Sequence, residues 1–205
     1  MTDLTNYPGL QAAVADWLNR EDLTSQVPAF ISLAHSKLQM ELRVRDMHKR
    51  TTLTATGEFL TLPTDFLEIH TLSNGAVGRP ALAYIGPAKM AELPRTPSNG
   101  NTIYYTIIGN ELQFYPAPTS ALTLPIVYFS KVPVLSGTTA TNWLLDKAPG
   151  AYLYGSLLEA MPFLKNDDRI PTWETARQQV IDLVTAESER ALRPATKLVA
   201  RTRGF

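Results

Sequence analysis

Carboxylates are the first residues to consider for chemistry in this chain. Asp167 and Asp168 are adjacent, and two close carboxylates can share a proton or hold a magnesium ion. Negative charges just before a helix also stabilise its N-terminus, and we favour this second interpretation because a helical pattern follows. Glu58, Asp65 and Glu68 would supply a general acid and base only if the fold brought them together. Solvated charges along strands account for them equally well.

The three histidines His35, His48 and His70 are the other candidates for chemistry. Successive histidines are separated by 13 and 22 residues, so none has a partner at the spacing that lets one helix face bind a metal. His35 lies in a mainly apolar helical pattern, where we expect a buried or half-exposed imidazole. The chain has no cysteine, and it lacks the phosphate-binding, dinucleotide-binding and serine-nucleophile motifs. The sequence therefore predicts no enzyme, no metal site and no cofactor.

Aromatic residues in the middle of the chain admit two interpretations. A stacking platform for single-stranded nucleic acid would interleave them with lysine and arginine. The stretch from Thr102 to Ser130 has neither lysine nor arginine, and the whole chain has a formal net charge of zero. We therefore favour packing in a core or an interface for Tyr104, Tyr105, Phe114, Tyr115, Tyr128 and Phe129.

The C-terminal end has an unusual composition. No carboxylate follows Glu189, and a short basic end is often only a solvated terminus. Here apolar residues alternate with the charges, which indicates a peptide that docks on an acidic, grooved partner. A small DNA-binding protein that uses the same basic tail is the alternative. The residues concerned are Arg190, Arg193, Lys197, Leu198, Val199, Arg201, Arg203 and Phe205.

Hydrophobic periodicity predicts helices at both ends of the chain. The first runs from about Pro8 to Leu18 and the second from about Pro28 to Met47. A third begins near Pro149 and is ended or kinked by Pro162. The last begins at Pro171 and closes at Pro194, and its predicted apolar side comprises Trp173, Ala176, Val180, Leu183 and Val184.

Between these helices the period changes to two, which is typical of strands. We expect a hairpin of residues 53–55 with 59–62, and a clearer one of 103–108 with 111–115 around the Gly109-Asn110 turn. Pro125 lies inside the last strand pattern and removes a ladder donor, so we expect that strand at an edge or bulged.

The resulting plan is an α+β protein. Residues 1–48 and 142–194 form a helical bundle, residues 49–141 an inserted antiparallel β-rich domain, and residues 195–205 an extended tail. The 205 residues, 44% of them hydrophobic and 19% charged, suffice for one large or two small cores. No apolar run approaches the roughly 20 residues of a membrane-spanning helix, so we expect a protein that is soluble where it is made.

Several segments, taken in order, resemble phage head-to-tail adaptor proteins. Two N-terminal patterns are VPxFIxLA at Val27–Ala34 and LxxELRVR at Leu38–Arg45. The β-rich region contributes LxLPxDFLE at Leu60–Glu68. The C-terminal third contributes NWLL at Asn142–Leu145, YLYGxLLEA at Tyr152–Ala160, and a helix with Trp173.

The resemblance implies a structural virion protein of the head–tail interface, assembled in the host cytoplasm. Such adaptors form a ring, usually of twelve copies, beneath the portal of the filled capsid. Their bundles pack side by side, the opposite face receives the tail nozzle or other tail proteins, and the genome DNA passes through the channel without specific binding. No catalytic residues are known for the family. The portal-docking role maps here to Arg193, Lys197, Leu198, Val199, Arg201, Arg203 and Phe205.

Overall fold

The structure is a computed structural model that describes residues 4–75, 82–94, 101–164 and 167–193. It is an α+β protein, as predicted, and it divides into two compact units. The helical unit takes in the described residues of Met1–Asp46 and Val132–Phe205, and the β-rich unit is Met47–Lys131. None of the helices in the described ranges is both long and apolar enough to cross a membrane.

Six α-helices and seven strands make up the two units. The helices are α1 (Tyr7–Leu18), α2 (Val27–Glu41), α3 (Pro87–Ala91), α4 (Trp143–Lys147), α5 (Pro149–Glu159) and α6 (Ile170–Leu192) in the described chain. Short 3₁₀ helices occupy Glu21–Gln26, Arg45–Met47 and Met161–Phe163. The strands are β1 (His48–Ala55), β2 (Phe59–Thr61), β3 (Phe66–Leu72), β4 (Ala83–Tyr84), β5 (Tyr104–Ile108), β6 (Glu111–Tyr115) and β7 (Leu122–Ser130).

Helix α5 is the centre of the helical unit and contacts α1, α2, α4 and α6. It is buried on most of its circumference, and it ends before Pro162, as predicted. Gly155 lets α2 approach closely, because an added Cβ at this position would lie 3.2 Å from the Cβ of Ala34.

Helix α2 ends at Glu41 and not near Met47, so the predicted end is wrong. Leu42 has an extended backbone with ψ of 133°. Leu42 and Val44 are buried while Arg43 between them is exposed, which is the two-residue alternation of an extended chain. Both apolar residues are therefore buried from an extended segment and not from a helix.

The β-rich unit contains two sheets around one core. Strands β1, β7 and β3 form an antiparallel sheet with β7 in the centre. The second sheet has the order β2-β6-β5-β4, in which the short β4 pairs parallel with β5. Residues from both sheets share one buried cluster, which includes Leu112, Phe114, Leu124, Ile126 and Tyr128.

One predicted hairpin is confirmed and the other is wrong. Strands β5 and β6 pair around Gly109-Asn110, and Gly109 takes the positive φ of 60° that the first position of a II′ turn requires. Strands β1 and β2, in contrast, do not pair: β1 pairs with β7, and β2 pairs with β6. The alternation of apolar and polar residues identifies which face of a strand is buried, but it does not identify the strand with which it pairs.

Pro125 lies in the central strand β7, so its predicted edge position is wrong. Its carbonyl accepts a hydrogen bond from the Ser73 N–H (2.9 Å), one residue beyond the end of β3. The N and O of one strand residue point to the same side of an antiparallel strand. The side of Pro125 that lacks an N–H therefore faces Ser73, beyond the end of β3. The opposite side faces Thr52 on β1, so the pairing of β7 with β1 loses no hydrogen-bond donor. The register irregularities lie in β3.

Candidate interaction surfaces

The carboxylates singled out for chemistry are engaged in structural contacts. The Asp167 carboxylate accepts hydrogen bonds from the Arg169 side chain (2.6 and 2.9 Å) and from its backbone N–H (3.0 Å). These bonds lower the pKa of Asp167 to about 2. Arg169 in turn donates to the carbonyl of Trp17 (3.0 Å) and lies 4.9 Å from the ring centroid of Trp173. The aspartate thus orients an arginine that links the end of α1 to the start of α6.

The other predicted carboxylates contact different neighbours. Asp65 accepts from Lys49 Nζ (2.6 Å) and the Tyr128 hydroxyl (2.9 Å). Burial alone would raise its pKa, but these two hydrogen bonds hold it below the usual value. Glu58 accepts from Gln113 Nε2 (2.7 Å), and Glu68 lies in β3 opposite Phe129. Within the described ranges, no group of three or more histidine, aspartate or glutamate side chains is placed to hold a metal ion.

His35 belongs to a buried polar network in the helical unit. Its Nδ1 lies 2.9 Å from the Tyr152 hydroxyl, and this hydroxyl accepts a hydrogen bond from Asn142 Nδ2 (2.9 Å). The Asn142 Oδ1 caps α4 by accepting a hydrogen bond from the Leu145 N–H. The Asn142 Nδ2 also donates a hydrogen bond to the Pro133 carbonyl. Burial lowers the pKa of His35 and raises that of Tyr152 to about 12. We expected a buried or half-exposed imidazole, and His35 is buried.

His48 and His70 lie together in the β-rich unit, which their separation along the chain did not predict. Their ring centroids are 4.5 Å apart, and the ring of Phe129 lies edge-on to both. Burial and the neighbouring His70 lower the pKa of His48. Both imidazoles flank the central strand β7, since β1 and β3 pair with it on opposite sides.

Ion pairs connect the helices around a groove. Lys37 of α2 lies 2.6 Å from Glu159 at the end of α5, and Glu41 pairs with Arg177 of α6. The groove between them has a volume of about 530 Å³, and Met40 and Glu174 are on its rim. One member of each pair is mostly buried, since Glu159 and Arg177 are only 12% and 18% exposed. Their main effect is to set how α2 and α6 sit on α5.

The central aromatic residues pack mostly into the β-rich core. Phe114 and Tyr128 are buried, and the half-buried Tyr105 packs against the same cluster. Tyr105 also contacts Tyr84 edge to face, with centroids 5.6 Å apart. The structure thus supports packing over an open stacking platform.

The helical unit presents large apolar side chains to solvent. Leu33 and Met40 of α2 are 51% and 73% exposed, and Leu183 of α6 is 67% exposed. Leu183 was predicted on the apolar side of α6, and this is wrong: the buried positions are Trp173, Ile181, Val184 and Ser188. For Leu33 and Met40 a signal was present in the sequence, because both lie off the buried stripe of α2.

Of the predicted portal-docking residues, only Arg193 lies in the described part of the chain. It follows the last residue of α6, is exposed, and has its guanidinium 3.8 Å from Glu189. The other six, Lys197, Leu198, Val199, Arg201, Arg203 and Phe205, lie outside the described residues, as does the tail of residues 195–205.

Comparison with known proteins identifies the family. The model of the SU10 adaptor protein family matches residues 5–198, nearly the whole chain. No individual curated protein matches this chain in sequence. The family match agrees with the resemblance of the segments between Val27 and Ala160, and it covers both compact units. The chain therefore belongs to the SU10 adaptor proteins, a family of phage head-to-tail adaptors.

Proposed function

We propose that this protein forms a ring that joins the portal of a DNA-filled phage capsid to the tail. The family match over residues 5–198 carries the proposal. The ring has twelve copies, as the resemblance implies, and genome DNA passes through its channel without specific binding. The work of the protein is binding and not catalysis. It is made in the host cytoplasm and ends at the head–tail interface of the virion.

Each part of the chain has a role in this proposal. The helical bundle of residues 1–48 and 142–194 packs side by side around the ring. The β-rich domain of residues 49–141 is an insertion in that bundle, and the tail of residues 195–205 docks on the portal. The face opposite the portal receives the tail nozzle or other tail proteins.

The surface of the helical unit supports a binding role. Its buried polar groups and ion pairs hold the helices on one another, while large apolar side chains stay in contact with water. Such side chains contribute most to association when a partner covers them. Those of the helical unit are Trp17, Leu33, Met40, Val134, Met161, Phe163, Leu183 and Leu192.

The chemistry of the tail suits docking by many weak contacts. Fully extended, the eleven residues 195–205 could reach roughly 35 Å, enough to reach a neighbouring protein. Their basic residues steer the approach to an acidic groove, and Leu198, Val199 and Phe205 are the apolar anchors. One tail binds weakly, but a ring engages many at once.

Deletion of residues 195–205 tests the docking role. We expect folding and thermal stability to stay nearly unchanged and attachment to DNA-filled capsids to be lost. Two variants separate the contributions: Leu198, Val199 and Phe205 changed to alanine should speed dissociation, while Lys197, Arg201 and Arg203 changed to glutamate should mainly slow association. A truncated protein that still decorates capsids normally would rule out docking by the tail, and one that unfolds would place the tail in the core.

A further inference from the structure

Helix α2 carries a short row of side chains that no described residue of its own unit covers. We call Ala29, Leu33, Ser36 and Met40 the α2 seam. All four are exposed, and their spacings of four, three and four residues are those of a helix that packs against another helix. The buried stripe of α2 lies elsewhere, at residues such as Ile31, Ala34 and Leu38.

Helix α6 carries a second row of the same kind. The α6 seam consists of Ala176, Gln179, Leu183 and Ala186, with spacings of three, four and three residues. Gln179 and Leu183 are exposed and the two alanines are half-buried. Both seams thus place one leucine near the middle of a row of mostly small or flexible side chains, a shape that lets two helices approach closely.

The two seams point in different directions. Met40 of the α2 seam is on the rim of the groove shared with α6, as is Glu174 of α6. Leu183 is nine residues beyond Glu174, and at about 100° per residue this places it half a turn away. The α6 seam therefore faces away from α2, and one copy cannot bring its own two seams together.

The charges near the two seams are complementary. Helix α2 has Lys37 one turn beyond Leu33, and its other charge, Glu41, pairs with Arg177. Helix α6 has Glu187 one turn beyond Leu183, in an acidic stretch with Asp182 and Glu189 that lies between Arg177 and Arg190. Lys37 and Glu187 have intrachain partners, but their side chains are still 62% and 58% exposed. Their partners Glu159 and Lys147 are only 12% and 24% exposed, so Lys37 and Glu187 must keep these bonds and contribute to the new contact through their exposed sides.

We propose that the α2 seam of one copy packs against the α6 seam of the next copy. This inference rests on the proposed ring and names the contact that closes it. Two different surfaces on one chain make a head-to-tail contact, which generates rings when the rotation between copies closes. Leu33 meets Leu183 near the centre of the contact, and Lys37 lies near the acidic side of α6.

A single contact of this kind is weak. Ala29 and Met40 are eleven residues apart, so the α2 seam covers only about 16 Å of helix. A contact of that length is smaller than the interface of a stable dimer. The ring therefore needs a second source of affinity, which the portal provides by holding many tails at once.

Cross-linking tests the contact directly, because the chain has no cysteine of its own. The variant with both Leu33→Cys and Leu183→Cys is assembled on the portal of the same phage and treated with a short bismaleimide. We expect a ladder of covalent oligomers up to the full ring. The single-cysteine variants should give no ladder. Neither should the control pair Leu33→Cys with Val134→Cys, in which both positions are also exposed.

A charge exchange tests the pairing of the two seams. Leu183→Lys brings a second ammonium group towards Lys37 of the neighbour, and the protein concentration for half-occupancy of the portal should rise at least about tenfold. Adding Lys37→Glu should recover part of this loss. Because Lys37→Glu also replaces the ion pair with Glu159 by two like charges, we expect it to lower the thermal unfolding temperature, whereas Leu183→Lys alone should unfold near the wild type. Portal occupancy is therefore measured well below the unfolding temperature of the double variant.

The outcomes separate this contact from the ring itself. Rings that form on the portal without a Leu33–Leu183 ladder, or a double charge variant no better than Leu183→Lys, would overturn the seam contact and leave the adaptor function standing. Wild-type protein that forms no ring on the portal would overturn both.

Discussion

At the scale of single residues, the network of His35, Tyr152 and Asn142 shows how buried polar groups order the helical unit. Asn142 donates to the Tyr152 hydroxyl, so that hydroxyl is free to donate to His35 Nδ1. The proton of the imidazole then resides on Nε2, which has no hydrogen-bond partner among the described residues. The opposite tautomer would leave both Nε2 and the hydroxyl proton unmatched. The network therefore favours a neutral His35 with its proton on Nε2.

Stability should fall at mildly acidic pH because of His35. Burial lowers the pKa of His35 in the folded protein, while the unfolded chain has the ordinary value of about 6.5. Below that value the unfolded chain binds a proton that the folded protein does not yet bind, so the free energy of unfolding decreases as the pH falls until His35 itself protonates. His48, whose pKa is also lowered, adds to the effect in the same direction.

Urea denaturation at about pH 7.5 and pH 5.5, on either side of the ordinary histidine pKa, checks this expectation. His35→Gln should reduce the difference in unfolding free energy between the two conditions, and adding His48→Gln should reduce it further. The single variant His48→Gln is the control that leaves the His35 contribution in place. An unchanged pH dependence in His35→Gln would show that this imidazole is not the group responsible.

The sequence predicted the burial of His35 from its place in an apolar helical pattern. It did not predict the contact of His48 with His70, because these residues meet only when β1 and β3 flank β7. Leu183 was misplaced for a related reason. A helix that packs along one side buries only a narrow stripe of residues. The position of this stripe around the helix axis depends on which helices pack against it, and the hydrophobic periodicity of one segment does not identify them.

At the scale of elements, the spacing between α2 and α5 depends on Gly155. A side chain there would extend towards the Cβ of Ala34, which lies 3.2 Å from the position of an added Cβ. Gly155→Val should therefore push the two helices apart and reduce the free energy of unfolding by about 1–3 kcal/mol.

Chemical denaturation measures the effect of Gly155→Val. The matched control is Gly57→Val in the β-rich unit, where an added Cβ meets nothing within 4 Å. The control should lose much less stability. If both variants lose the same amount of unfolding free energy, α2 and α5 accommodate the new side chain without a specific cost, and Gly155 does not set their spacing.

The helices and the β5–β6 hairpin were predictable because their signals are local. Prolines mark the first turns of α1, α2, α5 and α6. The Gly109-Asn110 turn indicates that the two strands flanking it form a hairpin. The pairing of β1 with β7 joins residues more than 60 positions apart, such as Ala55 and Leu122, so no local pattern encodes it. The same limit explains the wrong placement of Pro125, since a proline is tolerated in a central strand wherever its neighbour ends.

At the scale of the whole molecule, the proposed ring should bind DNA only weakly, because in this proposal DNA slides through its channel. The formal net charge is zero, and the basic residues cluster at the C-terminal end. If the five from Arg190 to Arg203 each met a phosphate, the log–log salt slope of binding would be about −4 to −5.

Titration of duplex DNA at physiological salt, followed by a salt series, distinguishes the two functions. We expect weak, non-specific binding that does not change when DNA sequence is varied. A submicromolar Kd with the full salt slope, lost on deletion of residues 195–205, would instead favour the DNA-binding alternative.

Electron microscopy of the protein with and without the portal of the same phage tests whether the adaptor forms a ring there. We expect single copies in the absence of the portal, since the exposed seams are short and the tails have nothing to bind. With the portal, we expect a closed ring of adaptor density beneath the portal, with the helical units side by side. Portals that remain bare at saturating protein, in a preparation whose portals bind their other partners, would contradict this expectation.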